Sequence, residues 1–330
     1  MLREVWPFVE DHHRAGRPLV LARLVSRDGP GSRPLGATLA LAADGTWRGS
    51  LSGGCVEGIA LDAAQTVLDG ATPHLATICP TEHLLPWEAA PACTGNLGVL
   101  ITPAPGQPVH DAITDALAHD HPLWVRVGLQ PPYPWSAATT PDELPDSDGP
   151  AFIEHLPRRR RLILIGATDL AATLAHLAEP LHRAVTVIDP RPAHLHSGAF
   201  PHTTTLIEEW PDTWLTQHPL HAGDALIALS HDPRIDDRAL RAALPGPATH
   251  IAALGSRATH AQRLHRLTGT PGLDRLIGPA GLDLGATTTA ETALSILAEL
   301  TATENGRSGR RLRDGHHPIH PQPPLASLRR

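Results

Sequence analysis

The chain has 330 residues, a hydrophobic fraction of 41% and a formal charge of −7, with 27 basic residues against 34 acidic ones. That length suits two domains, the negative balance argues against a general nucleic-acid binder, and no apolar run reaches the roughly 18 residues of a membrane span. Every basic residue is arginine, which excludes a lysine Schiff base or a lysine general base. The single tyrosine, Tyr133, lies in a proline-rich stretch and disfavours a tyrosine-based hydride-transfer site. The charged N-terminus, MLREVWPFVEDHHRAG, lacks the apolar core of a signal peptide. Three cysteines, Cys55, Cys79 and Cys93, make no disulfide framework and fit a reducing cytoplasm.

Residues 1–157 read as a small α+β domain. Helical spacing runs through VWPFVEDHHRAG to Gly16, and PLVLARLVS and GATLALAADGTWRG read as strands, with Asp44-Gly45 as a hairpin signal. A polar glycine turn, Ser52-Gly53-Gly54, leads through Cys55 into a helix over 56–69 with apolar positions at Val56, Ile59, Ala60, Ala63, Ala64 and Val67. LGVLITP is a further strand and PVHDAITDALAHD a helix. Residues 130–157 have linker composition, with room for a strand or hairpin in their middle.

From 158 to 302 strands and helices alternate. RLILIG, AVTVID, DALIALS, THIAALGS and RLIG read as strands, and DLAATLAHLAEPL, PRIDDRALRAAL and RATHAQRLHRLTG as helices. That order predicts a Rossmann-like parallel sheet. A last helix over 287–302 carries a capping box, Thr288 with Glu291, and the apolar stripe Ala293, Leu294, Leu297 and Leu300. Residues 303–330 have almost no apolar periodicity and read as a disordered basic tail. The expected class is α/β: an N-terminal α+β domain, a Rossmann-like domain, a C-terminal helix and a disordered tail.

Several constellations could carry chemistry. Cys55 begins a helix after two glycines, where backbone N–H groups and the helix dipole favour a thiolate and Gly53 and Gly54 can turn N–H groups toward an anion. Cys93 repeats the pattern beside Thr94 and Gly95, so the two thiols could ligate a soft metal or accept sulfur; Cys79 lacks that context and reads as structural. In the second domain Gly166-Ala167-Thr168-Asp169 stands where a dinucleotide fingerprint would, but Thr168 replaces the second glycine and should crowd a pyrophosphate. Asp189 sits where an acid would hold ribose hydroxyls, with Arg191 close by for a phosphate. His231 and Asp232, Ser256 and Arg257, and the turn Gly281, Asp283 and Gly285 add three polar loops on the carboxyl edge of the sheet, where α/β ligands bind.

The segments SLSGGCVEG, ILIGATDLAATLAHLA, VTVIDPR, SHDPRIDDRAL, IAALGSRATHAQRL and GPAGLDLGATTTAETALSILAEL, in that order, resemble the XdhC/CoxI family over roughly residues 1–302. Members are accessory factors of molybdenum hydroxylases such as xanthine dehydrogenase and carbon monoxide dehydrogenase. The resemblance implies a chaperone that binds the molybdenum cofactor, protects it during sulfuration and assists its insertion. It implies as partners the apo molybdenum hydroxylase and a cysteine desulfurase or sulfurtransferase, with a homodimer compatible and neither nucleic acid nor membrane involved. Carried onto this chain, Cys55 and Cys93 would contact the cofactor or its molybdenum, with Glu57 as a polar neighbour. Gly166, Asp189, Arg191 and the Asp283 loop would line the Rossmann cleft. The chain departs from the family's usual residues at Thr168-Asp169, where Gly-His is usual, at Thr259, where lysine is common, and at Thr94, where glycine is usual. Two other readings stay open. One is an NAD(P)-dependent oxidoreductase acting on a small keto acid, imine or alcohol, with Asp189 on the ribose and His231 or Asp232 as acid–base. The other is a metal-binding or redox-sensing protein built on Cys55 and Cys93.

Overall fold

The computed structural model describes residues 1–28, 33–54, 56–79, 95–145, 149–196, 198–315, 319 and 326–329. The chain divides into two compact units, residues 1–158 with 317–330, and residues 159–316.

The first unit opens with α1 (Leu2–Arg14), whose buried Leu2, Val5, Trp6 and Val9 follow helical spacing. It continues through β1 (Leu19–Arg27), β2 (Thr38–Ala42), β3 (Trp47–Gly49), α2 (Glu57–Leu68), β4 (His74–Ile78), β5 (Leu97–Pro103), α3 (Gln107–Ala118), β6 (Leu123–Gly128), β7 (Trp135–Ala138) and β8 (Ala151–Leu156). The first five strands form one antiparallel sheet in the order β3-β2-β1-β5-β4. β1 is buried along most of its length because both of its faces are covered. Val20, Ala22 and Leu24 pack with Val56, Ala60, Ala64 and Val67 around α2. Leu19 and Leu21, on the other face, pack with α1, α3 and β6. Arg23 shares that second face. It is fully buried, ion-paired with Glu154 of β8, and lies over the rings of Trp135 and Phe152, 5.1 and 5.3 Å from their centroids. The stretch with linker composition therefore supplies two strands and half of a buried ion pair.

The second unit runs β9 (Arg161–Ile165), α4 (Asp169–Ala178), β10 (Ala184–Ile188), α5 (Pro192–Leu195), β11 (Thr205–Ile207), α6 (Pro211–Gln217), β12 (Ala225–Ala228), α7 (Pro233–Ala243), β13 (His250–Ala253), α8 (Arg257–Arg266), β14 (Leu276–Ile277) and α9 (Thr289–Glu304). Its six strands are all parallel, in the order β11-β10-β9-β12-β13-β14. The strand order reverses direction between β9 and β12, the switch point at which doubly wound sheets open a crevice. α4 and α9 cover one face, with Leu170, Leu174, Ile296 and Leu300 on Leu162 and Leu164. α6 and α7 cover the other, with Trp214, Ile235 and Leu240 on Ile163 and Ile165. This is the expected Rossmann-like arrangement. Within the stretch expected to be a structureless tail, β15 (Ala326–Arg329) pairs antiparallel with β8, Ala326 opposite Glu154, and completes the sheet β15-β8-β6-β7 of the first unit.

Candidate functional site

Cys55, Cys93 and Thr94 lie outside the described residues, so their expected convergence stands as an expectation. The flanks of Cys55 are described, and they are organised around one side chain. Glu57, in the first turn of α2, is 7% exposed and turns its carboxylate back into the loop that precedes it. Oε1 accepts hydrogen bonds from the Ser50 hydroxyl at 2.7 Å and from the N–H groups of Leu51, Ser52 and Gly53 at 3.0, 2.9 and 3.1 Å. Oε2 accepts from the Ser52 hydroxyl and the Gly54 N–H, both at 2.8 Å, and from the Val56 N–H at 3.2 Å. Burial alone would push this carboxyl up. The bonds from Ser50, Ser52 and Leu51 outweigh it and hold the group well below the usual carboxylate range. The glycine turn thus does aim its N–H groups at an anion, but the anion is the chain's own Glu57. The local sequence leaves Gly53 and Gly54 free for a ligand and makes Glu57 a mere neighbour; the folded loop corrects both. The Gly53 and Gly54 donors are engaged, and Glu57 is the group that shapes the loop on both sides of Cys55. Cys79 is half-buried at the end of β4.

On the carboxyl edge of the second unit's sheet, most of the residues singled out from sequence also have local partners. Gly166 adopts a positive φ of +100°, and a Cβ there would lie 2.6 Å from the Ser230 Cα, so the β9 turn packs directly on the β12 turn. Thr168 is the N-cap of α4, its hydroxyl accepting from the Ala171 N–H at 3.2 Å. Asp169, exposed in the first turn, puts a negative charge at the helix end that would otherwise attract a phosphate. Asp189 is fully buried with both oxygens engaged: it accepts from the Ala167 N–H at 2.8 Å and from the Arg191 backbone and guanidinium at 2.7–2.9 Å. Burial opposes its ionisation, but the Arg191 and Ala167 bonds outweigh that and lower its pKa. The expected ribose ligand and the expected phosphate ligand are therefore paired with each other.

His231 is exposed at a φ of +59°. Asp232 caps α7 and binds the Arg234 guanidinium and N–H, which hold its carboxyl at about 2. Such a group is ionised near neutrality and has no proton to give as a general acid. Ser256 caps α8 by accepting from the Thr259 N–H at 3.1 Å, and Arg257 follows, exposed. Asp283 and Gly285 lie on an exposed turn, after which the Thr287 and Thr288 N–H groups hold the Glu291 carboxyl at about 2. No group of three or more metal-capable side chains occurs among the described residues. No helix among them is long and apolar enough to cross a membrane.

Sequence reasoning missed a set beneath this edge. Asp236, 2% exposed, accepts from the Ser230 hydroxyl at 2.6 Å and from its N–H at 3.2 Å. Arg263, also 2% exposed, donates through Nη2 to the Leu254 carbonyl at 2.9 Å and stands 3.9 Å from Asp236. Neither has a local signal; both acquire their environment from helices packing on the sheet.

Comparison with known proteins covers both units. Residues 162–300 match the model of the XdhC Rossmann domain, and residues 12–78 that of the XdhC and CoxI family. A Bacillus subtilis (strain 168) protein, named as a probable xanthine dehydrogenase subunit, is 28% identical over 323 residues, covering 89% of this chain and 94% of that protein. The Escherichia coli (strain K12) protein YqeB is 29% identical over 180 residues, and the match spans 31% of its length. A crystal structure described as a xanthine dehydrogenase from Bacillus halodurans superposes with a TM-score of 0.78 at 22% identity, covering 92% of this chain and 96% of that one; it speaks to the fold. The chain belongs to the XdhC/CoxI family.

Proposed function

We propose that this protein serves the maturation of a molybdenum hydroxylase of the xanthine dehydrogenase type. In this reading it carries the molybdenum cofactor as cargo, shields it while a sulfurtransferase installs the sulfido ligand, and delivers it to the apo-enzyme. The observation that carries the reading is the match over 94% of a Bacillus subtilis relative named for xanthine dehydrogenase, joined to family matches in both units. The cargo is a phosphorylated, dithiolene-bearing anion. A thiolate at Cys55 suits its metal or sulfur, and the loop pinned by Glu57 fixes the residues on either side of that thiol. The edge of the second unit supports the reading over an oxidoreductase, because Asp189 is already paired, Thr168 is a cap and Asp232 is a fixed carboxylate.

The test is retention of cofactor. Purified protein is incubated with molybdenum cofactor and, separately, with NADH and NADPH, then desalted. The expected result is retained molybdenum and no retained dinucleotide, with retention lowered by Cys55→Ser and unchanged by Cys79→Ser. Equal retention by the wild type and Cys55→Ser would remove Cys55 from the site. A fully active client hydroxylase in cells lacking this protein would remove the maturation role.

A further inference from the structure

We propose that the C-terminal strand is a removable cap on a self-association edge: when residues 326–329 leave β8, that strand pairs with the β8 of a second copy of this chain. The inference is independent of the cargo reading. It begins from how the chain treats its other sheet edges. Besides β15, the edge strands are β3, β4, β7, β11 and β14. β3 and β11 have three residues each, β14 two and β7 four. β4 has five, but only its last residue is buried. Short edges are one way in which soluble proteins avoid pairing with a neighbour. β8 is different. It has six residues, AFIEHL, five of them buried, and it contains no proline, lysine or arginine. Its one carboxylate, Glu154, is fully buried, paired with Arg23 and accepting from the Leu2 N–H at 3.2 Å, so it does not repel an incoming strand. The His155 ring is stacked on Trp124, with centroids 4.3 Å apart. β6 pairs with β8 along its whole length on one side, and the other side is left to β15.

β15 is a slight cover for such an edge. Its four residues lie opposite Ala151 to Glu154, and His155 and Leu156 extend beyond the pairing. The sequence ASLR holds no β-branched or aromatic residue, so its own preference for a strand is low. It is joined to α9 by residues 305–325, and Arg310, Arg311 and Arg313 in that connection are exposed, so a single cut there severs the cap from the second unit. A second β8 is a fuller match. Antiparallel pairing about a two-fold axis uses all six residues and sets Ala151 opposite Leu156, Phe152 opposite His155 and Ile153 opposite Glu154. No like charges face each other in that register. The same strand serves on both copies, so the association closes as a pair.

The experiment is sedimentation equilibrium of the full chain and of the double variant Ser327→Pro with Leu328→Pro, at equal concentration. Successive N–H groups of a strand point to opposite sides, so one of the two prolines removes a donor aimed at β8. We expect the mass of the double variant to rise about twofold over that of the unmodified chain. A synthetic peptide of residues 325–330, added in excess, should refill the edge and return the mass to that of the unmodified chain. Ser327→Ala, which keeps its N–H, should behave as the unmodified chain. If the double variant does not fold, the two single proline variants carry the test, and at least one of them must gain mass. Unchanged mass in every folded proline variant overturns the cap. A gain that the peptide does not reverse places the association elsewhere and overturns the β8 edge. An open series of larger species overturns the two-fold pairing, and an equal gain in Ser327→Ala overturns a cap held by its main chain.

Discussion

Glu57 in the first unit and Arg263 in the second are both buried charges beside glycine turns, and their surroundings differ. Seven donors from residues 50–56 converge on the Glu57 carboxylate. Arg263 has one carbonyl and an ion pair with Asp236 at 3.9 Å, with two of its nitrogens lacking a hydrogen bond among the described residues. Arg23, buried against Glu154 and two aromatic faces, likewise leaves Nε and Nη1 without a hydrogen-bond partner among the described residues. The glycine loop thus holds its charge with a dense set of short hydrogen bonds, whereas Arg263 is held by one carbonyl and the more distant charge of Asp236.

The comparison breaks first at Glu57. Glu57→Ala strands the loop's N–H groups, each worth about 1–3 kcal/mol when left unmet and buried, so a loss of about 4 kcal/mol is expected in urea unfolding; a loss below about 1 kcal/mol would show that the loop holds its shape without the carboxylate. A second, slightly smaller effect tests a buried polar group of the second unit. His250 is buried, Nε2 3.8 Å from Glu299, with neither ring nitrogen hydrogen-bonded among the described residues, and burial, helped by the Arg183 charge, lowers its pKa from 6.5 to about 4. Because the native ring stays neutral where the unfolded one takes a proton, its contribution is whole above pH 6.5 and drains away as pH falls toward 4. The loss is on the order of 3 kcal/mol across that window, and denaturant midpoints measured from pH 7 to 4 should fall less steeply in His250→Asn.

Gly166→Ala should cost about 2 kcal/mol, since both the positive φ and the Ser230 backbone oppose a Cβ; thermal melts that show no shift would mean that the β9 turn is not packed as described. The smallest effect belongs to Thr168→Gly. Replacing a threonine cap by glycine costs a few tenths of a kcal/mol, and with Asp169 still at the helix end, NADH titration should show little gain. A tenfold gain would restore Thr168 as the main obstacle to a dinucleotide.

The periodic elements are legible in the sequence: the apolar runs of β1, β5, β9, β10 and β12, and α2 and α9 to within two residues. β4 is not, because HLATI is mostly half-exposed and only its last residue is buried. Neither are β6 and β8: the run of β6 is interrupted by the buried Arg126, and that of β8 by Glu154, which is buried where it meets Arg23 of β1. At the site, the Thr168 cap follows from the rule that threonine precedes a helix, but the same position also looks like a failed fingerprint, and the two readings compete. The Asp189 and Arg191 clamp is hidden because two opposite charges two apart look like two ligands until their atoms are placed. The role of Glu57 depends on six residues bending around it, and that of Arg263 on a neighbouring helix, so neither can be read from a local pattern.

The strand formed by residues 326–329 belongs to a sheet whose other three strands are complete by residue 156. About 170 residues, a whole Rossmann-like unit among them, separate the two partners of that pairing. In chain order the β8 edge meets its partner only after the second unit, and among the described strand pairs this one has the longest loop-closure span. Until then the β8 edge is a place where a second nascent copy could pair in its stead.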